Sequence, residues 1–276
     1  MKSINCNGKL ITFESPKVMG ILNITPNSFF DGGLHSSLEK IEQQTEKMLT
    51  EGADIIDVGA YSTQPNAPFV TEEEELQRIL PVLKHLVNQF PNAVFSVDTF
   101  RAEVAKQTLD LGAAIINDVS AGNLDDKMMQ VVSSFKAPYI MMHMKGTPQN
   151  MQQFTNYDDV MHEMIYYFSE KINQAQQNGI IDVIIDPGFG FSKTLDQNYE
   201  VLNKLELLQN LDVPVLSALS RKSMIYKFFD TTPQEALNGT SVLNTISLIK
   251  GANLLRVHDV KQAVECVKLY KKAYEN

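Results

Sequence analysis

Eight short apolar runs recur along the chain, and nearly every one finishes on a polar side chain. They span residues 18–23, 54–59, 94–99, 114–118, 139–143, 183–188, 213–220 and 253–259. A core strand has no packing need to stop on Asn23, Asp57, Asp98, Asn117, His143, Asp186, Arg221 or Arg256. Endings of this kind predict one shared site assembled from many loops.

Helical patterns lie between the runs. The clearest is an apolar stripe at Leu76, Ile79, Leu80, Leu83, Leu86, Val87 and Phe90, which repeats at the spacing of one helix face. Val260, Ala263, Val264, Val267 and Tyr270 repeat it near the end of the chain. Further helices are predicted over 37–50, 101–111, 126–135, 158–177 and 197–209, the first and fourth of these stopping at Glu51-Gly52 and Asn178-Gly179. The run at 183–185 is apolar on consecutive positions, as expected when both faces of a parallel sheet are covered. Alternating strands and helices in this number predict an α/β fold, a (β/α)8 TIM barrel formed by a single domain over 1–276. A doubly wound open sheet competes less well, because NITPNSFFDGG after the first run is not a glycine-rich phosphate turn. Residues 4–6 and 9–13 flank Asn7-Gly8, which predicts a type I′ N-terminal β-hairpin closing the barrel bottom.

Composition narrows the function. With 276 residues and 43% hydrophobic side chains the chain can bury a full core. A net charge of −9 argues against nucleic acid as a partner. No apolar run approaches the roughly 20 residues that cross a bilayer, and the opening MKSINCNGKLITFESPK lacks a signal-peptide core, so a soluble, cytoplasmic protein is expected. Cys6 and Cys266 have no metal-ligand spacing. The acidic run 71–75 reads as a solvated helix N-terminus that complements the helix dipole.

In a barrel all strand C-termini face one mouth. Asp57, Asp98 and Asp186 would bring three carboxylates there, able to bind a cation, move protons or accept hydrogen bonds from a ring rich in N–H groups. No H-x-x-H, H-E-x-x-H or D-x-D cluster supports a protein-only metal cage. Ser220-Arg221-Lys222-Ser223 opens a helix with free backbone N–H groups and two cations, which predicts an anion site. Arg256 and His258, two apart, predict a second donor pair suited to pyrophosphate. His143, among the methionines of MMHMKG, reads as a core histidine, while Met141 and Met144 read as packing for the mouth or a flat ring. GFGFSK at 188–193 and NSFFDGG at 27–33 combine glycine and aromatic residues as lids over flat ligands do, with Phe189 or Phe191 able to stack.

The segments VMGILNITPNSFFDGG, DIIDVGAYSTQPNA, SVDT, IINDVSAG, MHMKGTP, DPGFGFSKT, SRKS and RVHDV together resemble, in order and spacing, the dihydropteroate synthase family. The resemblance covers essentially the whole chain. It implies condensation of 6-hydroxymethyl-7,8-dihydropterin pyrophosphate with p-aminobenzoate, releasing pyrophosphate, by a substitution in which the C–O bond breaks early. It implies that Asp98, Asn117 and Asp186 bond the pterin, that Lys222 reaches its polar edge, and that Met141 and Phe191 pack near its faces. Asn23, Arg256 and His258 would hold pyrophosphate, with Mg²⁺ bridging Asn23 and phosphate, while Thr63 and Ser223 would serve p-aminobenzoate. Asp98, Lys222, Arg256 and His258 are then the candidate catalytic residues. The family also implies a homodimer and a sulfonamide target. A methyltetrahydrofolate–corrinoid methyltransferase uses a similar barrel without a pyrophosphate site, and a non-catalytic pterin-binding paralogue is the other alternative. A departure falls in the second loop, where a common G-G-E-S-T-R-P-G becomes Gly59-Ala60-Tyr61-Ser62-Thr63-Gln64-Pro65-Asn66. Gln64 lacks the charge and fork that could pair with Asp31, which bears on loop closure, p-aminobenzoate affinity and sulfonamide response.

Overall fold

The computed structural model describes residues 2–24, 33–61 and 69–274. The chain opens with β1 (Ser3–Cys6) and β2 (Lys9–Thr12), antiparallel with Cys6 opposite Lys9. Asn7 and Gly8 both take positive φ, 52° and 88°, as a type I′ turn requires. The barrel strands follow as β3 (Lys17–Asn23), β4 (Ile55–Gly59), β5 (Phe95–Asp98), β6 (Ile115–Asp118), β7 (Tyr139–Met142), β8 (Val183–Asp186), β9 (Leu216–Ser217) and β10 (Leu254–Val257). They form one parallel sheet in the order β8-β7-β6-β5-β4-β3-β10-β9. A parallel bridge from Ile185 to Val215 and the bond from Ile185 N to Pro214 O join its two edges. The predicted barrel is therefore present, with shorter strands than the apolar runs.

Helices α1 (Gly33–Glu51), α2 (Glu72–Gln89), α3 (Ala102–Asp110), α4 (Met128–Phe135), α5 (Val160–Gln177), α6 (Leu195–Asn203), α7 (Ser223–Tyr226), α8 (Leu237–Ile249) and α9 (Val260–Tyr274) surround it. Their starts are chemically marked. Thr71 and Glu74 form a capping box for α2, Thr194 and Gln197 one for α6, and Asp159 accepts from two backbone amides of α5. The sequence pattern misses α8 because Thr240, Asn244 and Ser247 are buried polar residues on its inner face, which breaks the apolar stripe. The segment over 197–209 is not one helix: α6 ends at Asn203, and a 3-10 stretch, Leu205–Leu211, follows.

Two apolar layers hold the fold. Outside the sheet, residues such as Ile56, Val58, Val97, Ile116 and Ile185 pack against helices. Inside, Met19, Ile55, Ile115, Ile140, Ile184, Leu216 and Leu254 pack on Ile4, Cys6, Ile11 and Phe13 of the hairpin. The hairpin thus plugs the barrel bottom, and each such side chain contributes about 1.5–3 kcal/mol by leaving water.

Candidate active site

Side chains alternate along a strand, so the inward positions two residues beyond the apolar layer face the barrel mouth. Those positions carry Asp57, Asp98, Asn117, Asp186 and Arg256, one step above Ile55, Ser96, Ile115, Ile184 and Leu254. The polar strand ends converge because the strands are parallel and in register, with Gly59 beside Asp98 and Asp98 beside Asn117.

Arg256 forms the centre of a buried network. Its Nε donates to Asp57 Oδ2 at 2.6 Å and its Nη2 to Asp98 Oδ2 at 2.7 Å. Asn117 Nδ2 donates to the same Asp57 oxygen at 3.0 Å, while Asp57 Oδ1 has no partner among the described residues. Burial pushes the Asp98 carboxyl above its ordinary range, with Arg256 pulling the other way. Burial opposes the charge on Arg256, yet Asp57 and Asp98 outweigh it and hold the guanidinium protonated. Asp57, equivalent to the other strand ends in sequence, emerges as the fully buried anchor of Arg256 and Asn117.

Asp186 lies across the mouth, its Oδ1 accepting from Gly188 N at 2.7 Å. Burial raises its pKa, opposed first by Lys222. Lys222 donates from Nζ to Phe189 O and sits 4.8 Å from the centre of the Phe191 ring. Burial lowers the Lys222 pKa to about 8. Phe191 packs against Met142, Met144, Met151 and Val119. The expectation for Met141 requires correction: it belongs to the layer between sheet and helices, and its neighbour Met142 is the methionine packed with Phe191. Alternation along β7 turns the two in opposite directions.

The Ser220–Ser223 segment is also corrected. Arg221 does not point its charge at the mouth; it forks onto Asp259 with two 2.8 Å bonds and donates to the carbonyls of Pro233 and Gln234. One cation, Lys222, remains for a ligand, and α7 is a single turn, too short for a large dipole. Ser223, its first residue, has a hydroxyl without a partner among the described residues. Ser220 has a contact that the sequence does not show. Its Oγ accepts from His258 N at 3.1 Å and lies 3.0 Å from His258 Nδ1. The hydroxyl has a second lone pair and a proton of its own, so either atom of the Ser220–His258 pair can donate. Desolvation, then Arg256, holds the His258 pKa down to about 4, although the residue is exposed. The imidazole is therefore neutral at physiological pH.

Asn23 is exposed at the end of β3, and its Oδ1 flanks Gly59 opposite Asp98. No cluster of three acidic, His or Cys side chains able to hold a metal occurs among the described residues. A single amide oxygen does suit Mg²⁺, which keeps waters and takes its other ligands from phosphate. Thr63, Gln64 and Asp31 lie outside the described residues. Arg101 pairs with buried Glu75, donates to Val70 O at 2.6 Å and stacks over the rings of Tyr61, Phe69 and Phe100. The acidic run is thus not wholly solvated, since Glu75 turns inward.

Comparison with known proteins agrees with this geometry. The family profile described as pterin binding enzyme matches residues 19–258, and the chain belongs to that class of barrel enzymes. The dihydropteroate synthase of Escherichia coli (strain K12) is 40% identical over 264 residues, covering 95% of this chain and 93% of that protein. A crystal structure of the Yersinia pestis dihydropteroate synthase with a sulfonamide drug superposes with a TM-score of 0.93 at 36% identity, covering 99% of this chain and all of that one. The Xanthomonas albilineans dihydropteroate synthase with 4-aminobenzoic acid gives a TM-score of 0.91 at 37% identity, covering 99% and 98%. Within the pterin-binding class, the chain is a member of the dihydropteroate synthase family.

Proposed function

We infer that the protein is a dihydropteroate synthase, a transferase of folate biosynthesis that joins 6-hydroxymethyl-7,8-dihydropterin pyrophosphate to p-aminobenzoate. The observation that carries this reading is the polar layer at the mouth, where Asp98, Asn117, Asp186 and Lys222 stand around one apolar face made by Met142 and Phe191. A flat ring with several N–H groups matches such a set. Its two carboxylates accept in-plane bonds, Lys222 donates to a ring acceptor, and Phe191 covers a face.

Arg256 and His258 hold the pyrophosphate, and Asn23 would hold Mg²⁺ against its oxygens. When bound, that ion neutralises charge on the leaving group. The substrate C–O bond breaks as these donors take up the pyrophosphate charge, and the electron-rich pterin spreads the positive charge on its methylene. The amine of p-aminobenzoate then attacks that carbon and loses a proton. Arg256 stays fixed throughout, because Asp57 holds its Nε and Asp98 its Nη2. Preorganised donors of this kind avoid reorganisation as charge develops. Ser223 would receive the carboxylate of p-aminobenzoate, where sulfonamides compete.

The same proposal includes a cytoplasmic homodimer. Free, buried Cys6 and Cys266 suit a reducing compartment. Exposed Phe228, Phe229, Val242 and Ile249 on and beside α7 and α8 suit a partner surface. Among the described residues no helix is long and apolar enough to cross a membrane. Incubation with dihydropterin pyrophosphate, Mg²⁺ and p-aminobenzoate should yield dihydropteroate and pyrophosphate in equal amounts. Pterin binding without product would favour the non-catalytic paralogue instead, and methyl transfer to a corrinoid would favour the methyltransferase.

A further inference from the structure

The GFGFSK segment has the composition of a hinged lid, yet the structure holds it from every side. Its glycines serve close packing: Gly188 has φ +67°, and a Cβ there would meet His143 O at 2.3 Å. All four carbonyls from Gly188 to Phe191 are engaged. Lys193 Nζ donates to Gly188 O and Phe191 O, each at 3.1 Å, Lys222 Nζ donates to Phe189 O, and Gln152 Nε2 donates to Gly190 O at 3.3 Å. The amides are held as well, Gly188 N by Asp186 Oδ1 and Gly190 N by Asn198 Oδ1, both at 2.7 Å.

Lys193 is the unusual member. Its side chain runs back under the segment it follows and is 4% exposed, so its ammonium lies in the protein interior. The other acceptors are His143 Nδ1 at 3.1 Å and, further off, His143 O at 3.5 Å, so the three ammonium protons have four acceptors within reach. His143, 2% exposed at the end of β7, accepts at Nδ1 when Lys193 carries its charge. Burial lowers the Lys193 pKa to about 7 and holds His143 well below its usual value, so the pair carries at most one charge near neutrality. A buried ammonium costs several kcal/mol unless fully bonded, and an apolar side chain of the same length would fill the space more cheaply. What the lysine adds is direction: it draws two carbonyls three residues apart onto one point beneath the mouth.

We propose that Lys193 is a positioning residue for pterin recognition, which fixes the Gly188–Phe191 turn so that the Phe191 ring and the Asp186 carboxylate face the bound ring together. The proposal rests on the synthase reading above. Lys193 has no path to the substrate; it acts through Phe191, whose carbonyl it holds, and through Gly188, whose amide is bonded to Asp186. His143 in turn ties this point to β7, the strand that supplies Met142.

Lys193→Met removes the donors while keeping the length. The expected result is a KM for dihydropterin pyrophosphate raised about tenfold, which is about 1.4 kcal/mol, with the KM for p-aminobenzoate within about twofold of the parent, a change under about 0.5 kcal/mol. In a double-mutant cycle with Phe191→Ala, the pair should be no worse than the weaker single variant, since one acts through the other. Unchanged KM values with only a lower melting temperature would reduce Lys193 to a structural role, and multiplicative effects would break its link to Phe191. If Lys193→Met does not fold, Lys193→Gln, which keeps one amide donor, should show an intermediate rise under the same criteria. Calorimetric binding of dihydropterin pyrophosphate without p-aminobenzoate separates the two readings. A parent protein that binds it but forms no dihydropteroate overturns the synthase assignment alone, whereas equal affinity of parent and variant overturns the role of Lys193 alone.

Discussion

The two ends of the barrel interior are built from the same strands and obey opposite rules. At the bottom, Ile55, Ile115, Ile184 and Leu254 meet the hairpin residues Ile4, Cys6, Ile11 and Phe13, and every side chain is apolar and buried. Two residues further along, the same strands present Asp57, Asn117, Asp186 and Arg256, also largely buried but charged or polar. The lower layer stabilises by leaving water. The upper layer costs desolvation, which the pairing of Arg256 with Asp57 and Asp98 offsets only in part. Stability and recognition are thus separated along each strand by one pleat, about 6.6 Å.

The sharpest way to break this comparison is Arg256→Ala. It removes the pyrophosphate donor and leaves Asp57 and Asp98 buried without their cation, so turnover should fall by roughly 10²–10³. Stability should also drop by about 3–5 kcal/mol, read from urea unfolding. Full activity in this variant would refute the pyrophosphate assignment. Asp186→Asn keeps the shape and removes one charge, and should lower kcat/KM for dihydropterin pyrophosphate by a similar factor with little loss of stability.

Ile4→Ala tests the opposite end. The side chain is 1% exposed, so unfolding free energy should fall by about 2–5 kcal/mol while kcat and both KM values stay unchanged. A change in KM would mean that the plug and the mouth are coupled. The smallest effect is expected from pH. Lys222, with its pKa lowered by burial to about 8, is a charged donor below that value and loses its charge above it. The kcat/KM for dihydropterin pyrophosphate should therefore decline as pH rises through about 8, and Lys222→Arg should remove that limb. His258, neutral above about 4, should contribute no titration between pH 5 and 9.

Much of the fold was legible in the chain because parallel strands buried on both faces are apolar at consecutive positions, and helices between them carry one stripe. The hairpin was legible from Asn7-Gly8, since few residue pairs accept two positive φ angles. Helix α8 was not, because its inner face carries Thr240, which bonds Arg221 N, and Ser247, which bonds Ser217. Such polar contacts replace the apolar signal. The candidate site was legible at the level of strand ends, less so at the level of single side chains. Met141 and Met142 are adjacent methionines, and only strand pleat and register decide which one meets Phe191. Arg221 and Lys222 are adjacent cations, and only Asp259, 38 residues away, decides that the first is structural.

The amino-acid sequence alone determined that this chain would form eight strands alternating with helices, close its lower end with a hairpin and bring polar residues to one mouth. Those properties follow from periodicity and local backbone preference, which act over a few residues. The tertiary structure decided which of those polar residues are free to meet a ligand. That Asp57 is spent on Arg256, Arg221 on Asp259, and Lys193 on the carbonyls of Gly188 and Phe191 depends on distances between separate loops, and no local pattern encodes them.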